Sequence, residues 1–274
     1  MTTSYKLKIT IISIAIISAA LISGFGLRRA NKRAGNEISE DISKQLESYQ
    51  SLVSRGVKQQ RKYILPTVMM IVKIDKVTEE RIESDSTIIY QIQALKDIGR
   101  DNKDFQEFCT AVEDVKPQPE EVNHQPGSDD EKLTQNKKQY QSWEVRFDLK
   151  AGQRRTIVTR CHRTYLSPFD AGRRVYELFG SIGKNEEVFL YPSGDDVIGE
   201  VVIMIESSSL NFVTAEARIQ HDNFERQSVP VSLHPDHKVA VARFSNIQNK
   251  DTVGLKLGWL NPSAIPLRDD GRSQ

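Results

Sequence analysis

Residues 150–174 concentrate the chemistry this chain offers. Lys150, Arg154, Arg155, Arg160, Arg163, Arg173 and Arg174 stand there against one acid, Asp170. A guanidinium binds phosphate or carboxylate through paired, parallel hydrogen bonds, so an arginine-rich segment is a candidate anion site. In a strand, Arg154, Arg160 and His162 project to one side while Arg155 and Arg163 project to the other. Two ligands suit such a run. One is an anionic lipid leaflet, where each cation near the surface adds about 1 kcal/mol; the other is a phosphorylated small molecule. A third use is internal, because residues 101–131 hold ten acids against Lys103 and Lys116 and can neutralise the basic run.

The other constellations are weak. His234-Pro235-Asp236-His237 is a turn because of its proline, and a zinc site needs three or four ligands. Cys161 and His162 are neighbours, which in a strand point to opposite faces and cannot act as nucleophile and base. Gly194-Asp195-Asp196, with Glu186 and Glu187, lacks the ordered ligand spacing of a calcium loop and reads as a solvated turn. The sequence has no phosphate-binding glycine loop, nucleophile elbow or paired-histidine zinc motif. No catalytic residue, metal site or cofactor is therefore expected. Cys109 and Cys161 are too few for a disulfide scaffold, and two free thiols are compatible with the cytosol.

Positioning these residues falls to the rest of the 274-residue chain. Lys and Arg total 38 against 37 Asp and Glu, a net charge of +1 that gives a nucleic-acid partner no support. Hydrophobic residues are 38% of the total and mean hydropathy is −0.48, which excludes a polytopic membrane protein. Those averages hide an uncharged run at residues 9–27. As a helix its nineteen residues span roughly 28 Å, close to the ~30 Å hydrocarbon core of a bilayer. Ser13, Ala20, Gly24 and Gly26 along it permit close helix contacts. Arg28, Arg29, Lys32 and Arg33 follow directly and place that flank on the cytoplasmic side. Residues 1–27 thus read as an uncleaved anchor, with a cleaved signal peptide as the rival.

Residues 28–65 read as a juxtamembrane amphipathic helix. Asn36 can cap it, Ile38, Ile42, Leu46, Tyr49, Val53 and Val57 form one stripe, and Pro66 ends it. Residues 66–260 read as a β-rich domain. A hairpin is expected from 67–77 and 86–98, then a short helix over 104–115 with Phe105, Phe108, Cys109 and Val112 on one face. A flexible acidic insertion, 116–139, follows. Further strands are expected at 143–149, 154–165, 187–191, 199–206, 212–220, 229–233, 238–244 and 252–260, with Val253, Leu255, Leu257 and Trp259 on one face. Residues 261–274 complete the chain as a tail. The expected fold is mainly β, with an N-terminal transmembrane helix, a juxtamembrane helix and a C-terminal antiparallel β-sandwich or barrel.

Together these features predict a single-pass, membrane-tethered binding module that holds a protein partner or ligand at the membrane, its body in the cytoplasm. Membrane lipid and a protein partner or a second copy are the expected partners; nucleic acid is not. One alternative is a ligand-gated sensor or effector, in which the basic strand binds a phosphorylated small molecule and the anchors oligomerise. Another is an exported enzyme.

Overall fold

Apolar residues spaced two apart build the centre of the structure, a computed structural model that describes residues 31–78, 81–99, 106–110, 121–122, 131–137, 140–145, 147–166, 173–183 and 185–260. The chain divides into two compact units, Met1–Ser48 and Tyr49–Gln274. The expected anchor, its flanking Arg28 and Arg29, and the tail 261–274 lie outside the described residues. Among the described residues, no helix is long and apolar enough to cross a membrane.

Helix α1 (Asn31–Lys58) precedes strands β1 (Tyr63–Val77), β2 (Arg81–Ala94), β3 (Gln106–Thr110), β4 (Glu121–Val122), β5 (Glu131–Lys137), β6 (Tyr140–Val145) and β7 (Arg154–Leu166). Helix α2 (Arg173–Phe179) follows, then β8 (Glu186–Pro192), β9 (Ile198–Ser207), β10 (Phe212–Gln220), β11 (Arg226–Val229), β12 (Val231–Leu233), β13 (Val239–Ser245) and β14 (Thr252–Trp259). A seven-stranded sheet runs β12-β13-β9-β1-β2-β7-β4, a four-stranded sheet β11-β10-β14-β8, and a three-stranded sheet β3-β6-β5. The inner faces of the two larger sheets share one core, in which Val68, Met70, Val72 and Ile74 of β1 join Val253, Leu255, Leu257 and Trp259 of β14. The fold is mainly β, and the face expected of β14 is the one it buries.

Several expectations need correction. The large sheet is mixed, because β1 pairs with β2 antiparallel but with β9 in parallel, Leu65 opposite Ile198 and Ile74 opposite Ser207. A parallel pair requires a long crossover, and here everything from β2 to β8 lies in it. Pro66 does not end the helix; it sits inside β1, where the β1–β2 register slips between Ile64 and Thr67, a place where a missing N–H costs little. The helix stops earlier, at Lys58. Gln60 takes a left-handed φ of 57°, and the N–H groups of Gln60 and Arg61 return to the carbonyls of Val57 and Gly56.

The expected apolar stripe of α1 is kept in part, since Val53 packs with Leu52, Ile64 and Val197 and Tyr49 bonds to Gln93. Leu52 and Gly56 are buried, Leu52 with Ile64 and Val197, while Ile42, Leu46 and Val57 are exposed. The core of the expected helix 104–115 is instead strand β3, paired with β6 through Phe108 opposite Ser142. Within the expected insertion 116–139, residues 121–122 and 131–137 are strands; the remainder lies outside the described residues. The charged stretch before residue 86 belongs to β2, whose Ile82 and Ser84 are buried between an exposed Asp85 and a half-buried Glu83.

Candidate functional site

The basic run does form a strand, β7, and alternation divides its cations. Ile157, Thr159 and Cys161 are buried, so Arg155 shares the core-facing side and Arg154, Arg160 and His162 share the other. Arg155 lies inward, with its guanidinium carbon 5.7 Å from the ring centre of Phe147. Arg154 donates from Nε to Gln93 Oε1 at 3.0 Å, and its guanidinium carbon stands 5.5 Å from the ring centre of Tyr49. The same Gln93 oxygen accepts the Tyr49 hydroxyl at 2.5 Å, so one amide joins α1, β2 and β7.

His162 Nδ1 is 2.8 Å from Asp85 Oδ1. Lys150 lies in the turn before β7, its Nζ 3.0 Å from Asp97 Oδ2. The N–H of Ala151, and then Lys150, hold the Asp97 carboxyl below its ordinary range. Arg163 stands opposite Ser84 in the ladder. Arg173 and Arg174 open α2, away from β7 in sequence and on another element. Lys32 and Arg33 lie in the first turn of α1. Thus Arg154, Arg160 and His162 share one face of β7 and Arg155 takes the other, while Lys150 belongs to the preceding turn and Arg173 and Arg174 to α2.

The acidic turn is less solvated than expected. Glu187 is fully buried and Asp196 is half-buried. Glu186 Oε2 pairs with Lys256 Nζ at 3.1 Å. Burial pushes the Asp196 carboxyl above its ordinary 3.8, against the opposing pull of the Tyr63 hydroxyl and the Arg61 charge. An acid with a raised folded-state pKa stabilises the fold below its unfolded value, and that contribution is lost as pH rises through the folded one. Asp196→Asn is therefore expected to raise Tm by a few degrees at pH 7 and to leave it unchanged at pH 3, as followed by thermal unfolding at the two pH values. Among the described residues, no group of three or more His, Cys, Asp or Glu is placed to hold a metal ion.

Sequence reasoning missed a second polar site, between α2 and the β10–β11 turn. It is a cleft of about 190 Å³. His221 lines it, with Nδ1 2.9 Å from Asp251 Oδ1. Asp251 is 1% exposed, and its other oxygen accepts the N–H of Gln248 at 2.7 Å. Thirty residues separate the two partners, so no local spacing announces the pair; an isolated His ending a strand was the available signal. Cys161 also departs from expectation: it is disulfide-bonded. The sequence contains one other cysteine, Cys109.

The body is therefore mainly β, with two larger sheets sharing one core and polar clusters built on their strands and turns. No family model matches the chain, and no curated protein matches it. Solved structures do. An M1 zinc metallopeptidase from Deinococcus radiodurans is similar over 73% of this chain and 42% of its own, at 11% identity and a TM-score of 0.35. A mutant of that peptidase bound to a Tyr-Ser-Ala substrate matches 73% of this chain and 43% of its own, at 12% identity and a TM-score of 0.37. The chain spans a little over two fifths of the length of these neighbours. Likeness of this depth carries no argument about activity.

Proposed function

We propose that this chain is a single-pass, membrane-tethered interaction module that holds a protein partner, or a second copy, beside a bilayer. The observation that supports it best is the exposure of Ile42 and Leu46 on α1, at 59% and 54%, a short way downstream of the uncharged run 9–27. Apolar side chains on an exposed helix face favour lipid or another helix over water. Arg154 and Arg155 are engaged by Tyr49, Gln93 and Phe147 within the body, which favours an interaction role over the sensor whose basic strand binds phosphate.

A second reading differs in the side of the membrane, and one observation favours it. Disulfides persist in oxidising compartments and are rare in the cytosol, so the bonded Cys161 supports an exported body, against the cations at residues 28–33. The tethering reading expects the full chain to sediment with membranes and to resist alkaline carbonate. A mature chain beginning near residue 21 or 27, free in the aqueous fraction, overturns it. Alkylation before and after reduction then assigns the side: thiols that react without reductant place the body in the cytoplasm, and thiols that need reductant place it outside.

A further inference from the structure

We propose that the cleft beside His221 binds the guanidinium of an arginine side chain presented by a partner protein. Three features of the cleft carry the inference. The first is Phe224, which is 68% exposed and adopts φ 66° in the turn between β10 and β11. Glycine takes that left-handed conformation freely and asparagine takes it at small cost, whereas a bulky aromatic there is a genuine outlier. An exposed phenylalanine contributes little to the core, so folding alone does not account for it. Its ring lines the cleft and offers a face on which a planar cation can stack.

The second feature is Gln220, 9% exposed, a residue of the cleft wall whose Oε1 is buried without a hydrogen-bond partner. A buried acceptor lacking a donor costs about 1–3 kcal/mol, so a ligand that brings N–H groups gains most if that amide turns toward the cleft to meet it. The third is the local charge. Glu177 and Asp222 line the cleft together with Lys250, whose Nζ already stands 3.9 Å from Asp222 Oδ2. Behind them, Asp251 holds His221 by Nδ1, leaving Nε2 as the ring's remaining polar edge. A group that is planar, cationic and rich in donors satisfies all three, and a guanidinium is the side chain with those properties.

This inference rests on the interaction-module reading and specifies the partner's chemistry. The probe is Nα-acetyl-arginine amide, titrated into the full-length, detergent-solubilised chain while its histidine imidazole signals are followed by NMR; inorganic phosphate serves as the anionic comparison. Saturable binding of the arginine probe with a Kd of about a millimolar is expected, and none of phosphate. Phe224→Gly should weaken that affinity about three- to fivefold while raising Tm, since glycine relieves the backbone. Gln220→Leu should weaken it without lowering Tm, because the unpaired acceptor is gone. Glu177→Gln, on the rim, keeps the test sound should either of those variants fold poorly. No arginine binding, phosphate binding in its place, or equal affinity in all three variants overturns the proposal. Membrane attachment measured on the same preparation is independent of this titration, so the failure of one reading is separable from the failure of the other.

Discussion

Gly199→Ala is expected to lower Tm by about 5–10 °C, measured by calorimetry on the full chain. A Cβ at position 199 would lie 2.6 Å from the carbonyl oxygen of Pro66 and 2.9 Å from Leu52 Cδ2. The carbonyl belongs to backbone that cannot retreat, because β1 is pinned to β9 on both sides of it, Leu65 opposite Ile198 and Thr67 opposite Glu200. Overpacking of this kind costs about 1–3 kcal/mol, and each kcal/mol moves Tm by about 2–4 °C in a body of this size. Gly254 provides the contrast. A Cβ there meets the side-chain ends of Leu178, Leu190 and Phe179, all of which can shift, so Gly254→Ala should cost less. An unchanged Tm for Gly199→Ala would mean that the β1–β9 pairing is looser than described.

The second large effect is expected at Arg55. Its guanidinium donates from Nη1 to the Ile247 carbonyl at 2.7 Å and from Nη2 to the Ile198 carbonyl at 2.5 Å. Burial lowers its pKa and the Asp251 charge raises it, yet an arginine stays charged under both influences. Arg55→Ala removes two charge-assisted hydrogen bonds and leaves both carbonyls unpaired, a loss of about 2–4 kcal/mol in urea unfolding. Arg55→Lys should recover only part of it, because a single ammonium cannot fork between two acceptors. A lysine variant as stable as the parent would show that charge, and not the fork, makes the junction. In both experiments, α1 is tested as part of the body from Tyr49 onward.

Strands with strict alternation were legible in the sequence. The bounds of β10 match the expected 212–220, and β14 buries the four residues assigned to one face. Elements whose partners lie far away were not. Phe105, Phe108, Cys109 and Val112 have helical spacing, but pairing with β6 makes the middle of that segment a strand, since strand formation depends on its neighbours. Helix α2 carries Val175, Leu178 and Phe179 at helical spacing, yet seven residues are too few to stand out. Within the expected strand 229–233, Pro230 parts Val229, the last residue of β11, from β12. The site followed the same rule. The cations of β7 could be read directly, whereas Tyr49, Gln93 and Phe147, which occupy two of them, arrive from other elements. His221 and Asp251 became a pair only through the β10–β14 ladder that brings Gln220 opposite Thr252.

The parallel neighbour of β1 imposes a timetable on synthesis. Leu65 waits for Ile198, about 130 residues downstream, on the order of 10 s at ribosomal speed. Throughout that interval the hairpin of β1 and β2 has an apolar edge with no mate, a template for misassociation. Until its ninth strand emerges, a nascent chain of this design carries that unpaired edge exposed.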